Sequence, residues 1–427
     1  MTALTPIRTK AETALIAQFE ALRHEFPAGS ALTAREAAMT SFAAAGLPHR
    51  RIEAYHYTDL RNLLREVAPL AGAPRAGTGR SIKAGGFMGD LGAHKLVIIN
   101  GCLVKTDVPA LPKGVAISAL EGTAPMILDG GDAIVALNTA LARQTITVKI
   151  GNGMKVEQPI HVAFVQDAAQ PQAVFTRLRI EVGEGASLTL LETHEGPSSV
   201  ATQANTAVEI AVGDDAHLEH ARVDAQGSLA LSLSSLGLSL GRRASVVSLN
   251  LAAGSGIARH QIRAVFVGEQ AKLMLAGVGM LDGTMHSDTT LVVDHAVPGG
   301  ESRELFKTVV EDRATGIFQG KIIVRPHAQK TDGKMMSAAL LLSEEASMSN
   351  KPELEIFADD VQCGHGATCG ALDDDLLFYL MARGIPRKEA QALLIRSFLG
   401  AAVETLSHEP LREAIGVLVD DWLKRRG

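Results

Sequence analysis

The sequence predicts a mainly β protein built as a parallel β-helix, a solenoid, with helical regions on both sides. Three observations predict it. The pattern apolar-Gly-x-x-Ala-x-apolar occurs four times, at Val182–Leu188, Val212–Leu218, Leu240–Val246 and Val267–Leu273. Its glycines, Gly183, Gly213, Gly241 and Gly268, lie 30, 28 and 27 residues apart, and a steady period of that length marks a repeat architecture. Each copy is flanked by runs that alternate at period two, as in Leu178, Ile180 and Val182 before the first copy and Leu188 and Leu190 after it. That is the period of a strand. The two ends of the chain instead read at helical spacings of three and four.

In chain order, Ile7, Ala11, Leu15, Phe19, Leu22 and Phe26 make one apolar stripe on a first helix, which Pro27 and Gly29 stop. Thr33 and Glu36 have capping-box spacing and start a second helix, ended by Gly46, Leu47 and Pro48. A linker rich in Gly, Ala, Pro and Ser runs from Ala71 to Gly89. In the repeats, the glycine supplies a turn conformation that a side chain would hinder. Two topologies fit them. One is a meander of antiparallel hairpins joined by short Gly-containing loops. The other is a solenoid in which each period is one coil. The recurring alanine favours the solenoid, because small residues at one position stack between coils. If residues 91–365 coil throughout, the stack has about ten coils and is roughly 45–50 Å long.

Beyond it, Leu376, Leu377, Leu380 and Met381 form an apolar helical face, and Gly384-Ile385-Pro386 breaks it. Ala390, Leu393, Leu394, Phe398 and Ala401 form a second face, and Leu411, Ile415, Leu418, Val419 and Trp422 a third. The reading is therefore a helical domain with linker at 1–90, a β-helix core at 91–365 and a C-terminal helical domain at 366–427. The helical regions either cap the solenoid or dock a partner.

Composition narrows the function classes. The 427 residues are 46% hydrophobic and 21% charged, which excludes disorder as the main state. Aromatics at 4% make the core aliphatic. A formal charge of −6 argues against a nucleic-acid partner. Three cysteines, Cys102, Cys363 and Cys369, cannot make a disulfide framework. Lys10, Glu12 and Gln18 interrupt any apolar leader, and no run approaches the ~20 apolar residues of a membrane span. The expectation is a soluble cytoplasmic protein with no membrane partner.

The densest chemical constellation is Cys363-Gly364-His365-Gly366-Ala367-Thr368-Cys369-Gly370. Thiolates and imidazole are the ligands chosen by zinc, iron, copper(I) and iron–sulfur clusters. Gly364, Gly366 and Gly370 leave the backbone free to bend around a ligand. Asp359 and Asp360 precede the motif, and Asp373, Asp374 and Asp375 follow it. No second Cys pair exists to complete a tetrahedral site, so a closed zinc site is not expected. A half-site completed by another subunit stays open, as does a pair of buried thiols beside a hydrogen-bonded His. Cys102, after the strand-like run Leu96-Val97-Ile98-Ile99-Asn100-Gly101, reads as structural. By parity His286, Asp288 and Asp294 share one strand face and His295 takes the other; these too read as structural. Nothing matches GxxxxGK[ST] or GxSxG, and Gly77-Thr78-Gly79 in the linker is a weak match to any phosphate loop. The chain reads as a scaffold, with Lys424, Arg425 and Arg426 a solvated helix end.

From His286 to Phe398 the sequence resembles the SufD family of iron–sulfur cluster assembly subunits. The residues that carry the resemblance are His295 with Pro298 and Ser302, Phe306-Lys307, Phe318-Gln319-Gly320-Lys321-Ile322 and Ala328-Gln329-Lys330-Thr331-Asp332. They continue through Leu340-Leu341-Leu342-Ser343, Lys351-Pro352-Glu353-Leu354-Glu355-Ile356 and the run from Asp359 to Thr368. Phe378-Tyr379-Leu380 and Arg383-Gly384-Ile385 close the pattern, which covers about a quarter of the chain. A weaker echo is Gly46-Leu47-Pro48 with Glu53 and Tyr57-Thr58-Asp59-Leu60, where Tyr55 and His56 stand in place of the usual Trp-Lys. The related SufB subunits resemble it over the same region but carry Glu-His-Glu-Ala where this chain has Cys363-Gly364-His365-Gly366. Cys369 is not part of the family pattern.

The resemblance implies a right-handed parallel β-helix between helical domains. It implies a scaffold without catalysis of its own, pairing with SufB through the β-helix and docking the SufC ATPase through the C-terminal helical domain. His365, with Cys363, would be a half-site for iron or a nascent cluster, transient and shared with SufB. No tightly bound cofactor is expected in the isolated chain, and a homodimer is expected to be possible when SufB is absent. The solenoid alone also suits a carbohydrate-binding or carbohydrate-active protein, because fold does not fix function. Few aromatics and no secretion leader weigh against that alternative.

Overall fold

The structure, a computed structural model, describes residues 8–74, 83–104, 111–120, 128 and 131–426. Ile7 of the first apolar stripe, Gly77-Thr78-Gly79 and the middle of the linker lie outside the described residues. Helix α1 (Lys10–Leu22) buries Ala11, Leu15, Phe19 and Leu22, as the periodicity predicts. The capping box is here and not at Thr33. The Thr9 hydroxyl accepts from the Glu12 N–H (3.1 Å), and the Thr9 N–H donates to Glu12 Oε2 (2.6 Å). Helix α2 (Ser30–Ala45) starts earlier than expected, from Gly29, with no side-chain cap. Glu36 is instead drawn to Arg23. A short helix α3 (Leu60–Leu63) follows.

Strands β1 (His94–Ile99) and β2 (Cys102–Leu103) pair antiparallel, as do β3 (Val115–Leu120) and β4 (Thr145–Ile150). Helix α4 (Ala133–Leu141) lies between β3 and β4. From β4 onward the chain coils. The strands are β5 (Ile160–Val165), β6 (Gln172–Val182), β7 (Ser187–Glu195), β8 (Thr202–Val212), β9 (His217–Ala225), β10 (Leu231–Leu240), β11 (Ser245–Ala252) and β12 (Ile257–Phe266). Then come β13 (Lys272–Leu281), β14 (His286–His295), β15 (Glu301–Val310), β16 (Thr315–Val324), β17 (Asp332–Leu341), β18 (Ser347–Ile356) and β19 (Gln362–Gly370). Odd strands from β5 to β19 extend one sheet from β1, and even strands from β4 to β18 form the other. Neighbours in both runs are parallel. This is the solenoid and not the meander, with about eight turns instead of ten. The shortfall arises because residues before β4 spend their length on antiparallel pairs and a helix.

The repeat explains the coil, but its glycine acts differently from the expectation. The left-handed residue is two positions later: Gly185, Asp215, Arg243 and Gln270 have φ between 54° and 63°. The recurring glycine is needed for close approach. A Cβ at Gly213 would stand 2.9 Å from Glu184 N, and one at Gly268 would stand 1.9 Å from Arg242 N. Each coil thus rests backbone on backbone on the coil before it. Ala186, Ala216, Ala244 and Ala271 stack inside, each at most 1% exposed. Their carbonyls carry the ladder: Ala186 O accepts from the His217 N–H at 2.8 Å, and Ala244 O from the Lys272 N–H at 2.8 Å. The lumen between the sheets is filled by Leu178, Ile180, Leu188, Ile210, Leu238 and their equivalents.

Among the described residues neither helical region closes an end of the stack. Both lie along outer sheet faces. Leu15, Phe19, Phe42 and Leu137 of α1, α2 and α4 bury against Phe175 and Leu233 on the even sheet. Tyr55 ties this layer down, donating to Asp132 Oδ2 (2.8 Å) beneath the Arg259 guanidinium. After the solenoid come α5 (Asp374–Ala382), α6 (Arg387–Val403) and α7 (Glu409–Arg425). Ile395, Leu399, Ile415 and Val419 pack on Leu249, Leu251, Val278 and Val309 of the odd sheet. Trp422 Nε1 donates to Asp282 (3.0 Å), and Glu219 accepts from the His408 N–H (2.8 Å). Apolar faces against apolar faces hold the helices lengthwise, so β18 and β19 end their sheets with free edges. Among the described residues no helix is long and apolar enough to cross a membrane.

Candidate functional site

The constellation around Cys363 lies on β19, the terminal strand of the odd sheet. Its ladder with β17 pairs Gly333 with Cys363, Met335 with His365 and Ala339 with Cys369. Each row descends through the stack. Cys363 continues the row Leu188, Leu218, Val246, Leu273, Ser302, Gly333, and His365 the row Leu190, His220, Ser248, Leu275, Glu304, Met335. Those rows face the lumen, so Cys363 and His365 sit side by side on the lumen side of the last coil, about 7 Å apart between α-carbons. Cys363 is half-buried against the core, and His365 is exposed. Burial raises the Cys363 thiol; the Gly333 backbone opposes this, while Asp332 and Glu304 add to the rise.

The strand separates what the sequence places close. Cys369 is six residues along, about 20 Å away on an extended strand. It can neither share a metal with Cys363 nor form a disulfide with it, which needs α-carbons within about 7 Å. Its Sγ instead accepts from Asn350 Nδ2 (3.2 Å). Gly364 and Gly366 do not bend around a ligand; both lie within the extended strand β19, and Gly366 makes room for Met336 Sδ. Asp360 pairs with Lys330, and Asp373 caps α5.

Parity on β14 places the other candidates. His286 meets the Thr58 hydroxyl (3.0 Å), Asp288 is paired with Arg259, and Asp294 accepts from Arg325 (2.9 and 2.7 Å). His295 points into the lumen, stacked on Phe266 at 4.1 Å with Nε2 at 3.0 Å from Ser302 Oγ. Burial pushes its imidazole down to about 4. Cys102 is buried, which raises its thiol. These groups hold the fold together. Arg426, expected to be a solvated end, is bound to Glu311 (2.5 and 2.6 Å).

Two lumen features escaped the sequence reading. One is a polar belt. Glu192 lies 3.2 Å from His220 Nε2 and 3.5 Å from His194 Nε2, and Arg222 donates to Asn250 (2.9 Å). Burial alone would raise Glu192, but His194 and His220 hold it below the usual carboxylate range. The other is Glu304 on β15, 2% exposed, whose carboxyl burial pushes up to about 8. The signal available for it was parity: Ser302, Glu304 and Phe306 alternate on one face. Among the described residues no three His, Cys, Asp or Glu side chains are arranged to hold a metal ion.

The described groups thus define an open-ended β-solenoid whose last coil carries a thiol and an imidazole, and comparison with known proteins places it. The N-terminal region of SufBD proteins matches residues 10–162, and the SufBD core domain of the SUF iron–sulfur cluster assembly system matches residues 164–398. The solenoid and its N-terminal segment are those of a SufBD-type assembly protein. The chain is 30% identical to the iron–sulfur cluster assembly protein SufD of Escherichia coli, over 87% of this chain and 88% of the relative. It is 28% identical to a SufBD family protein of Synechocystis over 87% and 86%, and 27% identical to SufD of Bacillus subtilis over 68% and 67%. The chain belongs to the SufD family of the SUF system. Its relatives are named as assembly proteins, which leaves the carbohydrate alternative without support.

Proposed function

We propose that the chain is a non-catalytic scaffold subunit that pairs with SufB through the free end of its solenoid and docks the SufC ATPase through residues 366–427. Cys363 and His365 form a half-site, completed across that junction, for iron or a nascent cluster as cargo. The observation that carries this reading is the open edge of β18 and β19 with Cys363 and His365 on the lumen side of the last strand. Unpaired strand edges are templates for another chain's strands. A thiolate and a neutral imidazole suit iron, and both bind it reversibly with pH. On α5, the exposed Leu376, Phe378, Tyr379 and Met381 offer an apolar face for docking.

The test is co-purification with SufB and SufC, comparing wild type with His365→Ala for complex yield, bound iron and sulfide. A complex that forms with wild-type yield but loses iron and sulfide supports the half-site. Unchanged iron and sulfide make His365 structural, and failure of the wild-type chain to form a complex overturns the scaffold reading.

A further inference from the structure

Strand β19 is close to being its own complement. It runs from Gln362 to Gly370 with Gly366 at its centre, and Cys363 and Cys369 each lie three residues from that centre. The Gln362 N–H donates to Thr331 O at 2.8 Å, so Gln362 and every second residue after it bond to β17 along their shared ladder. Cys363, His365, Ala367 and Cys369 therefore turn their N–H and C=O groups to the free edge. Such an edge accepts another strand, and a second copy of this chain carries the same edge.

A two-fold contact sets residue i against j and j against i, so two copies meeting here pair their β19 strands antiparallel. The register that pairs the whole strand puts the axis at Gly366. Cys363 then stands opposite Cys369 of the other copy, and Cys369 opposite the other copy's Cys363. His365 meets Ala367, Gly364 meets Thr368 and Gln362 meets Gly370, so a small residue faces the larger one at each of these places. The residues whose N–H and C=O groups face the edge form the hydrogen-bonded pairs, with α-carbons about 5.5 Å apart. That lies within the range of about 4.4–6.8 Å that a disulfide takes. Residues directly opposite also share a face of the sheet, so the two sulfurs of each pair point the same way. Within one chain the same thiols are about 20 Å apart on the extended strand, so the bond can form only between copies.

We propose that β19 carries a redox lock: two symmetric disulfides, Cys363 of each copy to Cys369 of the other, that join two copies of this chain edge to edge. The oxidant is a low-molecular-weight disulfide. The Cys369 thiolate attacks one of its sulfurs and releases the other half as a thiol. The Cys363 thiolate of the second copy then attacks the Cys369 sulfur and releases the remaining half as a second thiol. Each bond thus oxidises two cysteine thiols and reduces one small disulfide, and the two cysteine protons end on the two thiols released. Cys369 reacts first because it is exposed, whereas burial raises the Cys363 thiol. Exposed disulfides are the labile ones, so a thiol reductant reopens the edge. The lock rests on the free edge of β19 and not on the half-site. On the pairing proposed above, the locked dimer withholds from SufB the strand that SufB would use.

The experiment is oxidation of the purified full chain with oxidised glutathione at micromolar concentration, read by non-reducing gel electrophoresis. Wild type is compared with Cys363→Ser, with Cys369→Ser, and with an equal mixture of the two variants. Wild type is expected at twice the chain mass and to return to the single mass with dithiothreitol. Each variant alone is expected to stay at the single mass, and the mixture to give the doubled band, because only there does a Cys363 stand opposite a Cys369. Cys102 is present in every sample, so a bond through it would show in the single variants. A wild type that stays single, a variant that doubles by itself, or a mixture that fails to double overturns the inference. Should Cys363→Ser fail to fold, Cys363→Ala takes its place in the mixture. No partner protein enters the assay, so its failure leaves the scaffold reading standing, and failure of the chain to assemble with SufB leaves this result unchanged.

Discussion

Replacing Glu304 by Gln should stabilise the chain, and by an amount that grows with pH. The carboxyl sits at about 8 in the folded chain against an ordinary value of 4.5, because burial disfavours its charge. Its folded value is raised, so the unfolded chain loses the proton first as pH rises. Stability is then full below pH 4.5 and falls until pH 8, by about 1.4 kcal/mol per pH unit. The loss is about 3 kcal/mol by pH 7 and levels off near 5 kcal/mol above pH 8, as orders of magnitude. Gln has nearly the same shape and no proton to lose. Urea unfolding followed by circular dichroism at pH 5, 6, 7 and 8 reads the difference between variant and wild type, in which the other titrating groups cancel. A gap that widens by about 1 kcal/mol or more per pH unit is expected. A gap that stays constant with pH would refute the reasoning, because Glu304 would then be ionised in the fold.

Three further outcomes follow from the same geometry. Gly268→Ala forces a Cβ to 1.9 Å from Arg242 N and should cost about 3 kcal/mol, while Gly364→Ala, with nothing within 4 Å, should change the melting temperature little. His295, held near 4 by burial against an ordinary 6.5, is neutral in the fold, so it withdraws stability as pH falls from 6.5 towards 4, at most about 3 kcal/mol; His295→Gln should flatten the acid limb of the stability profile, and an unchanged limb would place the acid sensitivity elsewhere. Without SufB, the free edges of β18 and β19 should pair two copies of this chain. Light scattering at micromolar concentration should read the dimer mass, and a monomer would count against edge pairing.

Much of the coil was legible because it is written one residue at a time. The Ala186, Ala216, Ala244, Ala271 series demands stacking, and parity alone separated His286 and Asp288 from His295. The role of Gly213 and its copies was not legible: a sequence shows that a side chain is absent, not whether φ or a neighbouring backbone forbids it. Thr9 and Thr33 both begin capping-box patterns, and only packing decides which helix start is used. The Cys363–Cys369 spacing looked compact because sequence distance ignores conformation, and an extended strand turns six residues into about 20 Å. Glu304 and the Glu192 belt were missed because polar residues on a strand are expected to face water, and only the closed lumen reverses that.

The two free edges are not equally guarded, and this bears on what becomes of copies made in excess of their partner. Strand β18 carries Lys351, Pro352 and Glu353, a proline without an N–H between two charges, the usual protection against indiscriminate strand addition. Strand β19, Gln-Cys-Gly-His-Gly-Ala-Thr-Cys-Gly, contains neither proline nor any Lys, Arg, Asp or Glu. Orphan chains should therefore misassemble through β19 first. On the proposed pairing, solubility in the cell should depend on matched synthesis of the partner, and unmatched copies should become substrates for chaperones and proteases.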